Sequence, residues 1–269
     1  MFAKLHDISV NFGEVRALNN VSLDISPNQI HAIVGENGAG KSTLMSVLFG
    51  LNVNYSGQIF IDEVDKNWVT PSDAIKAGIG MVHQHFMLIE SMTVLENIIL
   101  GSEPNKYMGF LDFQFAENKL SDLLKTYNFS IKLNQTVGEL SVGQRQMVEI
   151  LKTLYRSAEL IILDEPTAVL TPAERVDLFT SLQDFKKAGK SIILITHKID
   201  EVITNADHVS VMRSGQLISS LPINNTSRQQ ISDEIVGASK TKSISRKEIK
   251  PGPVTVSYTH LTLPTTSAV

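Results

Sequence analysis

The sequence contains no cysteine. Disulfides and thiolate metal sites are therefore excluded, and the composition suits a reducing compartment. Excess positive charge is absent too: 24 lysines and arginines stand against 28 aspartates and glutamates, for a formal net charge of −4. The chain lacks the general basic footprint of a nucleic-acid binder, so no nucleic-acid partner is expected. The first residues, Met1 to Asp7, carry no long apolar core of a signal peptide. No stretch approaches the ~20 uninterrupted apolar residues that span a bilayer, so any membrane role is expected to be peripheral. What remains is a chain of 269 residues, 42% hydrophobic, long enough for one large domain or two small ones with a real core.

Against that background one stretch stands out. Gly35-Glu36-Asn37-Gly38-Ala39-Gly40-Lys41-Ser42 fits G-x-x-x-x-G-K-[ST], the phosphate-binding loop. His31 to Val34 before it reads as a short buried strand. Thr43 to Phe49 after it has apolar positions at helical spacing, with Gly50 to close the helix. Glycines let backbone N–H groups close round phosphate oxygens, and the helix N-terminus adds a partial positive charge. Lys41 can reach the β- and γ-phosphates, and the Ser42 hydroxyl can bind Mg²⁺.

Other candidates lie along the chain. Residues 4–12 and 19–25 alternate apolar and polar side chains and predict paired strands turning at Gly13-Glu14. Phe12 can stack on a flat base or serve as a core or edge aromatic. Further strands are expected at Gly57 to Ile61 and Ile79 to Val82, with a helix at Pro71 to Lys76 opened by Thr70. The strand at 79–82 runs into His83-Gln84-His85. That histidine pair lacks a third metal ligand, and solvent-facing or hydrogen-bonded histidines account for it. The Gln84 amide could reach a bound Mg²⁺ or water.

Residues 92–128 read as mostly helical, with a capping box at Thr93 and Glu96, a loop at Lys106 to Phe110, and an amphipathic helix from Phe113 to Tyr127. Ser141 and Gln144 form another capping box ahead of a helix from Gln146 to Tyr155. With Gly143, they make a second, weaker candidate anion site. Leu160 to Leu163 is apolar throughout, as in a parallel strand buried on both faces, and ends in Asp164 and Glu165. Carboxylates there sit where open α/β sheets bind ligands. Asp164 can hold Mg²⁺ through water, and Glu165 is free to orient or deprotonate a water. Thr171-Pro172-Ala173-Glu174 opens a further helix. Ser191 to Ile195 is a second apolar strand, ending at Thr196-His197. His197 can donate to a γ-phosphate, though a strand-end histidine alone is more often structural. A hairpin through Ser214-Gly215 and a helix from Thr226 to Val236 complete the globular part. From Ala238 to about 255 the chain reads as a Ser/Lys-rich linker, and 251–269 is rich in proline and threonine.

Together these residues resemble the ATP-binding subunit of ABC transporters. The match covers about the first 237 residues, and the motifs occur in the family's order. The resemblance implies an α/β fold of P-loop NTPase type: a parallel-rich sheet, a small antiparallel part and a helical subdomain at about 86–157. It implies ATP hydrolysis with Mg²⁺. Phe12 matches the adenine-stacking aromatic; Gly38, Gly40, Lys41, Ser42 and Thr43 match phosphate and metal contacts. Gln84 matches the glutamine that senses the metal, Glu165 the catalytic base and His197 the switch histidine. Leu140-Ser141-Val142-Gly143-Gln144 matches the signature, which in the family completes the ATP site of an opposing cassette.

Two departures stand out. Val142 replaces the usual glycine, and Thr171 replaces an aspartate that normally helps join the two halves. Both departures are similar to those of importers of simple sugars and nucleosides, in which two ATPase halves are fused in one chain, and Gly80 to Ile89 looks most like the nucleoside members. The resemblance thus implies permease subunits, a second cassette and, indirectly, a solute-binding protein as partners, at the cytoplasmic face of the membrane. Rival readings are a non-transport ABC ATPase, a weakly hydrolysing regulatory subunit and a phosphate-loop kinase. Val256 to Val269 resembles translated adapter read-through, and the expectation is a truncated chain with a non-native tail at 256–269.

Overall fold

The computed structural model describes residues 2–104 and 111–237. A compact unit runs Met1–Gly237. The expected loop at 106–110, the linker at 238–255 and the tail at 256–269 lie outside the described residues.

Two sheets organise the unit. The first is antiparallel and four-stranded, in the order β2-β1-β4-β5: β1 (Ala3–Phe12), β2 (Val15–Ile25), β4 (Ser56–Ile61) and β5 (Val64–Lys66). Phe12 pairs with Val15 across the predicted turn at Gly13-Glu14. Along β1 the side chains of Ala3, Leu5, Ile8 and Val10 are buried while His6 and Asp7 face out, the alternation of a sheet packed on one side.

The second sheet is six-stranded, in the order β10-β9-β3-β8-β7-β6: β3 (Ile30–Val34), β6 (Ile79–Val82), β7 (Leu160–Asp164), β8 (Ser191–Ile195), β9 (His208–Arg213) and β10 (Gln216–Pro222). Only β10 runs antiparallel to its neighbour. Every residue of β3, β6, β7 and β8 is buried, which is why these strands read as unbroken apolar runs. β3 lies between β8 and β9 although its neighbours come far later in the chain. The Ile30 N–H donates to Asp207 Oδ2 at 2.8 Å, across 177 residues.

The buried polar residues of this sheet are His31, Asp164, Ser191 and Ser210. His31 is fully enclosed, with Nε2 2.7 Å from Ser210 Oγ. Burial, reinforced by His208, lowers its pKa to about 3, so the ring is neutral near pH 7.

Helices cover both faces. α1 (Lys41–Leu48) packs between the two sheets with Leu44, Met45, Val47 and Leu48 buried. α2 (Pro71–Lys76) has the predicted bounds, with a reciprocal cap between Thr70 and Asp73. α6 (Pro172–Lys187), α7 (Ile199–Asn205) and α8 (Arg228–Val236) cover the opposite face through Leu178, Leu182, Phe185, Val202 and Ile231. α3 (Val94–Ile99), α4 (Phe113–Thr126) and α5 (Val142–Tyr155) form a helical layer with its own core, including Val94, Ile98, Leu120, Val148 and Leu151. That layer lies within the predicted subdomain.

Three expectations are corrected. α5 begins at Val142 rather than Gln146, because Ser141 caps it directly. β5 and α7 were not expected; each is short and carries too little apolar periodicity to register.

Candidate functional site

The loop between β3 and α1 is shaped by close packing. A Cβ on Gly40 would come within 2.9 Å of the Ala17 carbonyl oxygen, and Gly40 also holds φ at 99°. Gly38 needs its glycine for conformation alone, since φ is 80° and nothing lies within 4 Å of a Cβ there. Lys41 Nζ folds back on the loop, donating to the carbonyl oxygens of Gly35 at 2.8 Å and Glu36 at 3.0 Å. Burial lowers the lysine's pKa; Glu165 and Asp164 oppose that shift. α1 receives no side-chain hydrogen bond at its N-cap and has no acidic residue in its first turn.

A cleft of about 570 Å³ opens over this loop. The phosphate loop from Asn37 through Gly38, Ala39, Gly40, Lys41 and Ser42 to Thr43 lines it, facing Phe12, Gln84, Asp164 and Glu165. Elements separated by up to about 150 residues thus bring nearly the whole predicted set together at the C-terminal edge of the parallel sheet. Phe12 is 57% exposed and lines this cleft, which excludes a core aromatic and leaves a surface ring beside the loop. Arg16, Val15, Ala17, Ser214 and Gly215 also line the cleft and were not singled out in the sequence. The hairpin at Ser214-Gly215 is tied there by Gly215 N–H donating to the Ala39 carbonyl at 3.1 Å. Only the turn chemistry was visible beforehand.

Asp164 is buried and hydrogen-bonded by Ser42. Burial first, then the neighbouring Glu165, raises its pKa against the lowering by Ser42. Glu165 has left-handed backbone, φ 48°, with its N–H donating to the Ile195 carbonyl at 3.0 Å. This sets its side chain at the sheet edge, where Oε1 lies 3.1 Å from His197 Nδ1. His197 therefore joins the site through Glu165 and is not among the cleft-lining residues. Gly35 contributes its carbonyl to Lys41 and does not line the cleft either. Lys198 Nζ donates to the Thr167 carbonyl at 2.9 Å and Thr167 Oγ1 to Glu201 Oε2 at 2.7 Å, fixing the His197 loop against the segment after Glu165. These couplings had no local sequence signal.

Two carboxylates, a hydroxyl and the Gln84 amide form a hard-oxygen donor set, which fits Mg²⁺. Among the described residues there is no group of three or more His, Cys, Asp or Glu residues placed to hold a metal. His83 instead meets Phe49 edge-on at 6.4 Å, and His85 is exposed.

Ser141, Gly143 and Gln144 lie elsewhere, lining a separate cleft of about 610 Å³. The Ser141 hydroxyl accepts from Gln144 N–H at 3.2 Å, and Gln144 Oε1 accepts from Ser141 N–H at 3.0 Å. The Glu174 carboxylate reaches the same place. Its Oε1 accepts from Ser141 Oγ at 3.0 Å and Gly143 N–H at 2.9 Å. Its Oε2 accepts from Thr171 N–H at 3.0 Å and Thr171 Oγ1 at 2.9 Å. These bonds, led by those of Thr171, hold the Glu174 pKa at about 2. Thr171 serves here as the N-cap of α6.

A lysine-bearing glycine loop opening a helix, with paired carboxylates on the adjacent strand, defines a P-loop nucleotide-binding domain. The family model described as ABC transporter matches residues 18–168. The chain belongs to the ABC transporter family, and its fold is that of the family's ATP-binding cassette. It is 43% identical over 257 residues to the nucleoside import ATP-binding protein NupA of Lactococcus lactis subsp. cremoris, covering 96% of this chain and 51% of that protein. It is 38% identical to the ribose import ATP-binding protein RbsA of Bacillus licheniformis, covering 94% of this chain and 52% of that one. The chain thus spans about half the length of the curated relatives it matches. Among solved structures it resembles a nucleotide-free ATP-binding cassette from an ABC transporter, with TM-score 0.77 and 27% identity, over 88% of this chain and 96% of that one.

Proposed function

We propose that this cassette binds Mg-ATP in the cleft over the phosphate loop and hydrolyses it, together with a second cassette, to power an importer of nucleosides or simple sugars. The observation that carries the reading is the single cleft in which Phe12, Lys41, Ser42, Gln84, Asp164 and Glu165 converge.

In this reading Phe12 stacks on the adenine, and the loop N–H groups and Lys41 hold the phosphates. Ser42, Asp164 and Gln84 hold Mg²⁺, which when bound neutralises phosphate charge. Glu165 accepts a proton from the attacking water, and His197 orients that carboxylate through the 3.1 Å contact. The left-handed backbone at Glu165 fixes its reach.

Partners follow from what one cassette lacks. Ser141, Gly143 and Gln144 lie in a different cleft from the phosphate loop, so a single cassette holds two half-sites. The match to only about half of each relative's length supports a second cassette as partner. Permease subunits would dock on the helical layer near Gln84. There Met87 N–H donates to the buried Glu149 carboxylate at 2.6 Å, linking the Gln84 segment to α5. No helix of the described residues is long and apolar enough to cross a membrane. The cassette's place is the cytoplasmic face, bound to the permease, with a solute-binding protein acting indirectly.

The test is ATP turnover and solute uptake by the assembly reconstituted with its permease, with nucleosides and ribose as competing solutes. ATP turnover that neither solute stimulates would overturn the importer assignment; absence of any turnover would overturn the ATPase reading.

A further inference from the structure

α5 begins at an anion seat, and the chain fills that seat with its own anion. The donors are the Ser141 hydroxyl and the Gly143 N–H, and the acceptor of both is Glu174 Oε1. The fit is close: a Cβ on Gly143 would lie 2.6 Å from that oxygen. Gly143 has no positive φ, so a Cβ there would push on the carboxylate rather than strain the backbone. The cleft beside the seat is lined by Glu174, Asp177 and Asp184, and among the described residues lining it there is no lysine or arginine.

Resting on the reading that Ser141 and Gly143 complete an opposing cassette's ATP site, we propose that Glu174 gates that seat. Its carboxylate occupies the donors and yields them only to a terminal phosphate delivered by the opposing cassette. Two anions cannot share the same pair of donors without repulsion, so phosphate binding and Glu174 binding exclude each other. The exchange is local. Glu174 is half-exposed, and its second oxygen keeps Thr171 N–H and Oγ1 while the first lets go. Because the Thr171 bonds persist, the start of α6 keeps its place while the seat opens. Glu174 is thus a positioning residue that sets how much ATP is needed to close the two cassettes.

Two variants test this in the complete assembly. E174Q keeps the shape and removes the charge. E174D keeps the charge but shortens the arm; an aspartate in the same position of α2, Asp73, still caps Thr70, so E174D preserves the helix start while withdrawing from Ser141. Both should lower the half-saturating ATP concentration for turnover by at least about fivefold, with kcat changed less than about twofold. A merely structural Glu174 would instead leave half-saturation unchanged or raise it, and either result from both variants overturns the gate. S141A run in parallel separates this from the underlying reading. If S141A raises half-saturation while the Glu174 variants fail to lower it, only the gate falls. If S141A leaves it unchanged, the seat is not used by nucleotide and both fall.

Discussion

Two helices of this domain begin at anion seats, and they are finished in opposite ways. α1 starts at Gly40 with no side-chain cap, and the nearby lysine turns to backbone carbonyls. α5 starts at Ser141 with a reciprocal glutamine cap and a carboxylate from another helix on top. Capping is the usual way to satisfy the first N–H groups of a helix. Thr70, Thr93 and Thr171 open α2, α3 and α6 in that manner. A helix end without a cap, at the sheet's ligand edge and facing a cleft, keeps its donors for a substrate; an over-capped end admits one only by exchange.

The sharpest way to break this contrast is at the chemistry of the uncapped side. E165Q should preserve ATP binding and lower turnover in the complete assembly at least ~100-fold, the scale of a lost general base. Near-normal hydrolysis by the variant would detach Glu165 from the α1 seat. Next in size, K41A should weaken nucleotide binding at least about tenfold, ~1.4 kcal/mol, by calorimetry. An unchanged affinity would mean that the loop holds phosphate without its cation, and the two seats would then differ only in capping.

On the capped side, S141A removes an N-cap hydroxyl and should cost roughly 1 kcal/mol of stability, read from denaturant unfolding. A loss near zero would mean that Ser141 does not cap α5 in solution. The smallest effect concerns pH. Asp164 has its pKa raised in the fold, mainly by burial, so its charge opposes folding above that pKa and the opposition fades as pH falls through it. Glu174 has its pKa lowered to about 2, so its contribution is present above about 4.5 and is lost as pH falls toward 2. D164N should therefore be more stable than the parent at pH 7 and E174Q less stable, with both differences shrinking in acid. Differences of the same sign would contradict the opposed electrostatics of the two seats.

The uncapped seat was legible in the sequence and the capped one only in part. The phosphate loop is contiguous, and the parallel strands of its sheet are buried along their whole length, so β6 and β8 could be bounded to the residue. Thr70 with Pro71 marked α2, and the cap, proline and glutamate at Thr171 to Glu174 marked where α6 begins. What escaped was contact between elements distant in sequence. Glu174 reads as an ordinary N3 glutamate, and nothing local shows that its other oxygen reaches Gly143, 31 residues away. The same holds for Ser214-Gly215, a plain hairpin turn that lines the ATP cleft. α5 was started late because Val142, 38% exposed, carries no apolar periodicity inward.

The position of β3 also has a meaning in time. It leads into the phosphate loop, yet both strands that flank it, β8 and β9, are synthesised much later. At about 5–20 residues per second, the interval between Ile30 and its partner Asp207, 177 residues on, is on the order of ten to forty seconds of translation. Throughout that interval the loop exists without the sheet that aims it. The antiparallel hairpin of β1 and β2 is complete within the first 25 residues and can form at once. The cleft over the phosphate loop is therefore among the last features to be completed as the chain is born, since Ser214 and Gly215, which line it, follow β9.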